Sequence, residues 1–193
     1  MVKWIRKLYR MLGLVFPVTY LAFGRHVPLI LLGIVIAIFA VIEILRFANR
    51  NINKTLFRKL HFLMKEKERN KVSTSTLFVF ANLVVIWFFE PHIAVPALFF
   101  LTIGDTAAEV IGEKFGKHRF SSGKSIEGST ANLAACLLTG LVLMQFIPLF
   151  TVQLLIVGSI AATLTELLLT FVDDNLSVPV VTAAALWAAE SIL

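Results

Sequence analysis

The sequence predicts an all-α membrane protein, a helical bundle that crosses the bilayer about seven times. Of its 193 residues, 58% are hydrophobic, and the mean hydropathy of +0.86 exceeds that of soluble domains, whose surfaces must be polar. The apolar residues also form runs long enough, at about 1.5 Å per residue, to cross a ~30 Å hydrocarbon core. We therefore expect residues 1–193 to form a single membrane-embedded domain.

Short polar segments separate the apolar runs. The longest, Asn49–Lys71, has leucine and isoleucine at helical spacing, which predicts an amphipathic surface helix. The first run contains Pro17 and is the weakest candidate, with a re-entrant segment as the alternative. The predicted spans are Leu12–Phe23, Val27–Ala48, Val72–Phe89, Ile93–Ile111, Gly128–Phe150, Thr151–Val172 and Ser177–Leu193.

The distribution of basic residues predicts the orientation. With seven spans and a cytoplasmic N-terminus, all of the 18 Lys and Arg residues except Arg25 lie on the cytoplasmic side, as the positive-inside rule requires. Because these residues occupy short loops between apolar runs, the net charge of +6 indicates topology rather than nucleic-acid binding. We predict an integral membrane protein with its polar clusters on the cytoplasmic face.

The stretch Gly104–Thr130 brings charges of both signs to the membrane surface. Asp105 and Glu109 are one helical turn apart near the cytoplasmic end of a span. Two carboxylates at that depth repel each other unless a positive charge lies between them. We favour a divalent cation held by oxygen ligands; an ion pair with an arginine such as Arg46 is the alternative.

The polar loop after this pair predicts phosphate binding. Its glycines allow backbone N–H groups to face phosphate oxygens, and its basic side chains neutralise phosphate charge. A helix starts near the end of the loop, and helix N-termini favour anions. An ordinary basic loop is the alternative. The candidate nucleotide-binding residues are Gly112, Gly116, Lys117, Arg119, Lys124, Ser125 and Glu127.

A second acidic cluster, Asp173-Asp174-Asn175, lies on the same side of the predicted bundle. Three oxygen-bearing side chains in a row suit a cation, and Glu166 lies on the same helix face as Asp173. A solvated turn that caps the last helix is an equally good interpretation. Together, the two clusters and the loop suit phosphoryl transfer from a nucleotide in water to an acceptor in the lipid.

Glu43 and Arg46 stand three residues apart on one helix face. We interpret them as a structural ion pair; the alternative is that Arg46 reaches phosphate.

The motifs resemble the phosphatidate cytidylyltransferase superfamily in order and spacing. The matching segments are Asp105, Gly112, Phe115-Gly116-Lys117 and Lys124-Ser125-Ile126-Glu127-Gly128. The Pro-Gly-His-Gly-Gly string of true phosphatidate cytidylyltransferases is absent. Glu166 and Asp173–Pro179 are instead similar to the Glu and Asp-Asn-Leu-x-x-Pro ending of CTP-dependent lipid kinases, namely dolichol kinase, phytol kinase and the yeast-type diacylglycerol kinase. Arg6-Lys7-Leu8 resembles the same branch, although Tyr9-Arg10 stands where that pattern has a His.

The resemblance implies CTP as the phosphate donor and a membrane lipid alcohol as the acceptor. We therefore predict a lipid kinase; a cytidylyltransferase that moves CMP and a small non-enzymatic transporter are the alternatives. The identity of the lipid and the oligomeric state, a homodimer included, stay open. The predicted roles are Mg²⁺ binding by Asp105, Glu109, Asp173 and Asp174, catalysis by Asp105, Lys124, Asp173 and Asp174, and support by Glu43, Arg46, Glu166 and Asn175.

Overall fold

The computed structural model is all-α, as the sequence predicts. It describes residues 10–59, 68, 71–120, 122–169 and 171–192, and no β-strand occurs within these ranges. The helices are α1 Val15–Phe23, α2 His26–Ala48, α3 Arg50–Lys59, α4 Thr74–Phe88, α5 Pro91–Phe99, α6 Asp105–Phe115, α7 Ile126–Leu143, α8 Val152–Leu168 and α9 Asp174–Glu190. A π-helical segment, Phe100–Gly104, joins α5 to α6. Of the predicted surface helix over Asn49–Lys71, the structure describes residues 49–59, 68 and 71, and α3 lies in the first of these ranges.

Apolar helices dominate the described part of the chain, and they fit a membrane protein. Three are long and apolar enough to cross a membrane: α2, α7 and the continuous helix Pro91–Phe115, which comprises α5, the π segment and α6. Shorter apolar helices cover Arg10–Phe23, Thr74–Phe88 and Val152–Leu168. The count of seven spans and the cytoplasmic N-terminus stay predictions.

Helix α2 lies at the periphery of the bundle. The exposed residues Ile30, Ile34, Ile38, Val41 and Ile44 recur every three or four positions, which places them on one face of the helix. Exposure of such an apolar stripe to water would cost free energy, whereas exposure to lipid hydrocarbon does not. This face is therefore suited to contact lipid.

The Pro91–Phe115 helix is the most buried of the three long helices. At its π segment, Gly104 packs so closely against α7 that an added Cβ would lie 2.7 Å from Cys136 Sγ and 3.0 Å from Asn132 Oδ1. Glycine therefore permits this approach, and the approach sets the position of Asp105, the next residue. Short π segments inside α-helices are frequent at functional sites.

Several helices start at one side of the bundle, and side-chain caps fix where they begin. Ser73 caps α4, Ser125 caps α7 by accepting a hydrogen bond from Gly128 N at 3.1 Å, and Asp173 caps α9 by accepting from Asn175 N at 3.1 Å. Such caps satisfy backbone N–H groups that lack a partner within the helix. Asp173 thus has the capping role that was one of its two predicted interpretations.

Candidate active site

A cleft of about 760 Å³ opens at this side of the bundle, a volume typical of small-molecule sites. It is bounded by the starts of α4, α7 and α9, the end of α8, helix α6 and the loop between α6 and α7. Acidic side chains outnumber basic ones among the described lining residues. The acidic residues are Glu68, Asp105, Glu109, Glu113, Glu166, Asp173 and Asp174, and the basic ones are Arg10, Lys71, Arg119 and Lys124.

Three carboxylates meet in this cleft: Asp105, Glu166 and Asp174. One oxygen from each lies within 4.8 Å of the other two. Asp105 is the first residue of α6, Glu166 lies in the last turn of α8, and Asp174 is the first residue of α9. Three helices from distant parts of the sequence therefore bring together a set of oxygen ligands of the kind that Mg²⁺ and Ca²⁺ prefer.

The hydrogen-bonding capacity of the buried Glu166 carboxylate is only partly satisfied by the residues that the structure describes. It is 6% exposed, and its Oε1 lies 3.1 Å from Lys124 Nζ, whereas the buried Oε2 has no hydrogen-bond partner among those residues. An unsatisfied buried acceptor costs roughly 1–3 kcal/mol, and more when it is charged. A cation bound to the three carboxylates would remove that cost, so the residues present fit a divalent metal.

Lys124 joins the loop to the carboxylate cluster. Its Nζ donates to both oxygens of Asp174 at 3.1 and 3.0 Å and also to the backbone carbonyl of Glu166. Burial alone would lower the pKa of Lys124, but the Asp174 and Glu166 carboxylates outweigh it and raise that pKa above its usual value. Lys124 is therefore a permanent positive charge beside the cluster.

Arg10 is a residue of the site that the sequence patterns did not reveal. Its Nη1 forms an ion pair with Asp105 Oδ2 and lies 3.8 Å from Glu109 Oε2. Both partners of the first pair are largely buried, at 13% and 14% side-chain exposure. The basic segment Met1–Arg10 was the available signal, although only tertiary contact identifies the partner. The alternative of an arginine beside Asp105 is therefore realised, by Arg10 rather than Arg46.

Arg46 is engaged away from the three carboxylates. Its Nη1 lies 2.6 Å from Glu43 Oε2, so the predicted Glu43–Arg46 ion pair is present and buried. Arg46 Nη2 also donates to the backbone carbonyl of Glu68 at 3.0 Å, and Glu43 Oε1 accepts from Ser73 N at 2.9 Å. The pair ties the end of α2 to the start of α4.

Glu68 is a second cleft residue that sequence reasoning missed. It is 5% exposed, and its Oε1 accepts a hydrogen bond from Thr74 Oγ1 at 2.6 Å. The same hydroxyl lies 3.4 Å from Asp173 Oδ2. Thr74 thus stands between two carboxylates at the start of α4. Acidic residues within a strongly basic segment, Glu66 and Glu68, were the available signal.

The loop between α6 and α7 folds back on itself. Phe120 N donates to Lys124 O at 2.8 Å, and the turn between them contains Gly123, whose φ of +84° favours glycine. Arg119 donates to the carbonyls of Gly112 at 3.0 Å and Gly123 at 2.9 Å. Arg119 therefore fixes the loop against α6, and this fold brings Lys124 to the carboxylates.

The predicted nucleotide-binding residues divide into two groups. Gly112, Arg119, Lys124 and Ser125 line the cleft, whereas Gly116, Lys117 and Glu127 do not. An added Cβ at Gly116 would lie 2.4 Å from the carbonyl oxygen of Gly112, so close backbone packing explains this glycine.

Glu127 and Lys117 both lie outside the cleft. Glu127 Oε1 lies 2.8 Å from His118 Nδ1, and both Glu127 carboxylate oxygens accept from His118 N at 3.3 Å. Lys117 is exposed. The structure therefore does not bring these two residues to the three carboxylates.

The predicted metal ligands divide in a similar way. Asp105 and Asp174 belong to the three-carboxylate cluster, and Glu166, predicted as a supporting residue, is the third member. Glu109 lines the cleft beside Arg10, and Asp173 accepts from Asn175 Nδ2 at 2.7 Å. Two predicted ligands thus meet a third acid that was not predicted as one.

Comparisons with known proteins give distant similarities over most of the chain. The uncharacterised protein RP860 of Rickettsia prowazekii is 26% identical over 180 residues, which cover 90% of this chain and 88% of that protein. The CTP-dependent diacylglycerol kinase 1 of Schizosaccharomyces pombe is 28% identical over 179 residues, which cover 85% of this chain and 81% of that protein. No family model and no solved structure matches. The chain is thus distantly similar to a CTP-dependent lipid kinase.

Proposed function

We propose that this protein is an integral-membrane kinase that transfers the terminal phosphate of CTP to the hydroxyl group of a membrane lipid alcohol. The observation that carries the proposal is the meeting of Asp105, Glu166 and Asp174 beside Lys124 in one cleft. The distant similarity to a CTP-dependent diacylglycerol kinase supports the same reaction. The active site faces the cytoplasm in this proposal, because the nucleotide is supplied there.

Asp105, Glu166 and Asp174 are the residues that would hold Mg²⁺. When bound, this ion supplies charge neutralisation for a triphosphate, which is the main electrostatic requirement of phosphoryl transfer. Lys124 adds a fixed positive charge for the same phosphates. Arg10 neutralises Asp105 and keeps its carboxylate in place.

The proposed reaction is balanced without a further reactant. A bond forms between the lipid hydroxyl oxygen and the terminal phosphorus of CTP, the bond from that phosphorus to the bridging oxygen breaks, and CDP leaves. The hydroxyl proton passes to a carboxylate of the cleft; Asp105 and Asp174 are the candidates. Positioning and charge neutralisation then account for the catalysis.

Labelled CTP tests the proposal directly. The purified protein is incubated in lipid nanodiscs with Mg²⁺ and a lipid alcohol, with label in either the γ- or the α-phosphate of CTP. A kinase transfers the γ label to the lipid, and we expect Lys124→Ala to abolish that transfer. Transfer of the α label would instead indicate a cytidylyltransferase. Absence of any transfer across a panel of polyprenols, phytol and diacylglycerol, with both CTP and ATP, would refute the kinase.

A further inference from the structure

We propose that the lipid acceptor enters the cleft between the start of α4 and the turn that joins α8 to α9. Its hydroxyl group then binds beside Thr74, between Glu68 and Asp173. This inference rests on the proposed kinase function and deepens it, because it assigns the lipid alcohol a binding place in the cleft.

An apolar rim distinguishes this side of the cleft. Val72, Leu77, Phe171 and Val172 line it, and we call these four residues the apolar rim. Phe171 is 83% exposed and Val72 is 43% exposed. Water penalises the exposure of such side chains beside a strongly acidic cavity, whereas a hydrocarbon chain would cover them.

Another part of the same cleft is polar. There the α6–α7 loop and the start of α7 contribute Arg119, Gly123, Lys124 and Ser125. One continuous cavity therefore contains both basic groups and the apolar rim. That combination suits two substrates that arrive from different media, and it assigns the apolar rim to the lipid.

The polar groups next to the apolar rim select for a hydroxyl. Thr74 Oγ1 lies 2.6 Å from Glu68 Oε1 and 3.4 Å from Asp173 Oδ2. Ionised carboxylates only accept hydrogen bonds, so a lipid hydroxyl gains a partner here, whereas a lipid phosphate would meet two like charges. Lys71 lies on the same side but is exposed to solvent, where its charge is screened.

The position of this proposed hydroxyl site suits phosphate transfer. Asp173 directly precedes Asp174, whose carboxylate lies in the three-carboxylate cluster and contacts Lys124 at 3.0 Å. A hydroxyl bound beside Asp173 is thus next to the residues that hold the phosphates in the proposed function. The lipid hydroxyl and the donor phosphates would thus meet at the three-carboxylate cluster.

Photolabelling tests the binding site without any catalysis. The probe is a long-chain primary alcohol with a diazirine in its chain, added to the protein in phosphatidylcholine nanodiscs without nucleotide. We expect labels on the residues of the apolar rim, located by mass spectrometry, and competition by the same alcohol without the diazirine. A matched probe that ends in a phosphate should label the rim at least tenfold less. Equal labelling by both probes, or labels confined to other helices, would overturn the inference.

Two variants test the charge selection and the rim. Glu68→Gln removes one repelling charge, so labelling of the rim by the phosphate-ended probe should increase. Phe171→Ala should raise KM for the alcohol roughly three- to tenfold through lost apolar contact, with KM for the nucleotide unchanged. Phe146→Ala is the control, because Phe146 is also strongly exposed, at 72%, but does not line the cleft. An effect of Phe146→Ala equal to that of Phe171→Ala would contradict a specific rim.

Different experimental results would refute this inference and the proposed function. Specific labelling of the rim without phosphate transfer to any alcohol would refute the kinase and retain the alcohol site. Phosphate transfer together with labels elsewhere would retain the kinase and refute the entry between α4 and the α8–α9 turn.

Discussion

At the scale of single residues, the site is organised by two cations that hold three carboxylates. Arg10 pairs with Asp105, and Lys124 pairs with Glu166 and Asp174. Each cation offsets like-charge repulsion within the cluster, and Glu166 Oε2 has no hydrogen-bond partner among the described residues and is left for a metal. This arrangement separates residues that bind the proposed cation from residues that position its ligands, and the two kinds are expected to respond differently to substitution.

Asp174→Asn should weaken the binding of a divalent cation. The substitution removes one of three clustered carboxylates and weakens the contact with Lys124, so Mn²⁺ affinity, measured by electron paramagnetic resonance titration, should fall at least tenfold. Phosphate transfer should fall by roughly a hundredfold or more. Glu90→Gln is the control, because Glu90 pairs with Arg25 in an exposed ion pair outside the cleft. Unchanged Mn²⁺ affinity in Asp174→Asn would exclude the cluster as the metal site.

Arg10→Gln should destabilise the protein in a way that a divalent cation partly reverses. The change leaves Asp105 largely buried beside Glu109 without its cation, which is expected to cost roughly 3 kcal/mol of unfolding free energy. Mg²⁺ can replace the lost charge, so thermal unfolding in detergent should show a larger upward shift with Mg²⁺ than wild type does. Glu90→Gln, at an exposed pair with Arg25, should change the midpoint little. A midpoint of Arg10→Gln equal to wild type would show that the ion pair contributes no stability.

At the scale of secondary-structure elements, one close helix contact places Asp105. The π segment ends at Gly104, whose backbone abuts Cys136 and Asn132 of α7. Ser125 caps that same helix, and the preceding residue, Lys124, contacts the cluster. The distance between α6 and α7 therefore determines how Asp105 and Lys124 face each other.

Gly104→Ala should lower both stability and Mn²⁺ affinity. Its Cβ would lie 2.7 Å from Cys136 Sγ, and such overpacking typically costs about 1–3 kcal/mol. Cys136→Ala in the same chain removes that sulfur and should restore part of the loss in a double-mutant cycle. The control is Gly33→Ala on α2, where an added Cβ meets nothing within 4 Å. Additive effects of Gly104→Ala and Cys136→Ala would contradict this contact.

At the scale of the whole molecule, structural features that depend on local sequence could be predicted, whereas contacts between residues far apart in the sequence could not. Hydropathy and the length of the apolar runs sufficed for the all-α class. The predicted spans began at Gly128 and Ser177, whereas the helices are capped by Ser125 and Asp173, and for Asp173 a cap was one of two interpretations. The pairing of Arg10 with Asp105 depends on contact across 95 residues, which no local pattern encodes. Glu166 was recognised as significant, but its place among the ligands required the geometry of three helices.

The cleft as a whole carries more negative than positive side chains among its described lining residues. A triphosphate is itself strongly anionic, so Coulomb repulsion opposes its entry unless a cation accompanies it. Nucleotide binding is therefore expected to depend on a divalent ion, even where no chemistry occurs.

Removal of divalent ions should weaken CTP binding and leave the fold intact. In nanodiscs, EDTA should weaken the affinity for CTP at least tenfold, measured by equilibrium binding of labelled CTP without a lipid alcohol, and Mg²⁺ should restore it. Asp174→Asn should bind CTP weakly with or without Mg²⁺, because it lacks a complete carboxylate cluster. Circular dichroism should report unchanged helicity after chelation, since Arg10 and Lys124 still neutralise the carboxylates. CTP affinity that is insensitive to EDTA would mean that side chains alone bind the phosphates. It would contradict the role of the three carboxylates in binding the cation that accompanies the nucleotide.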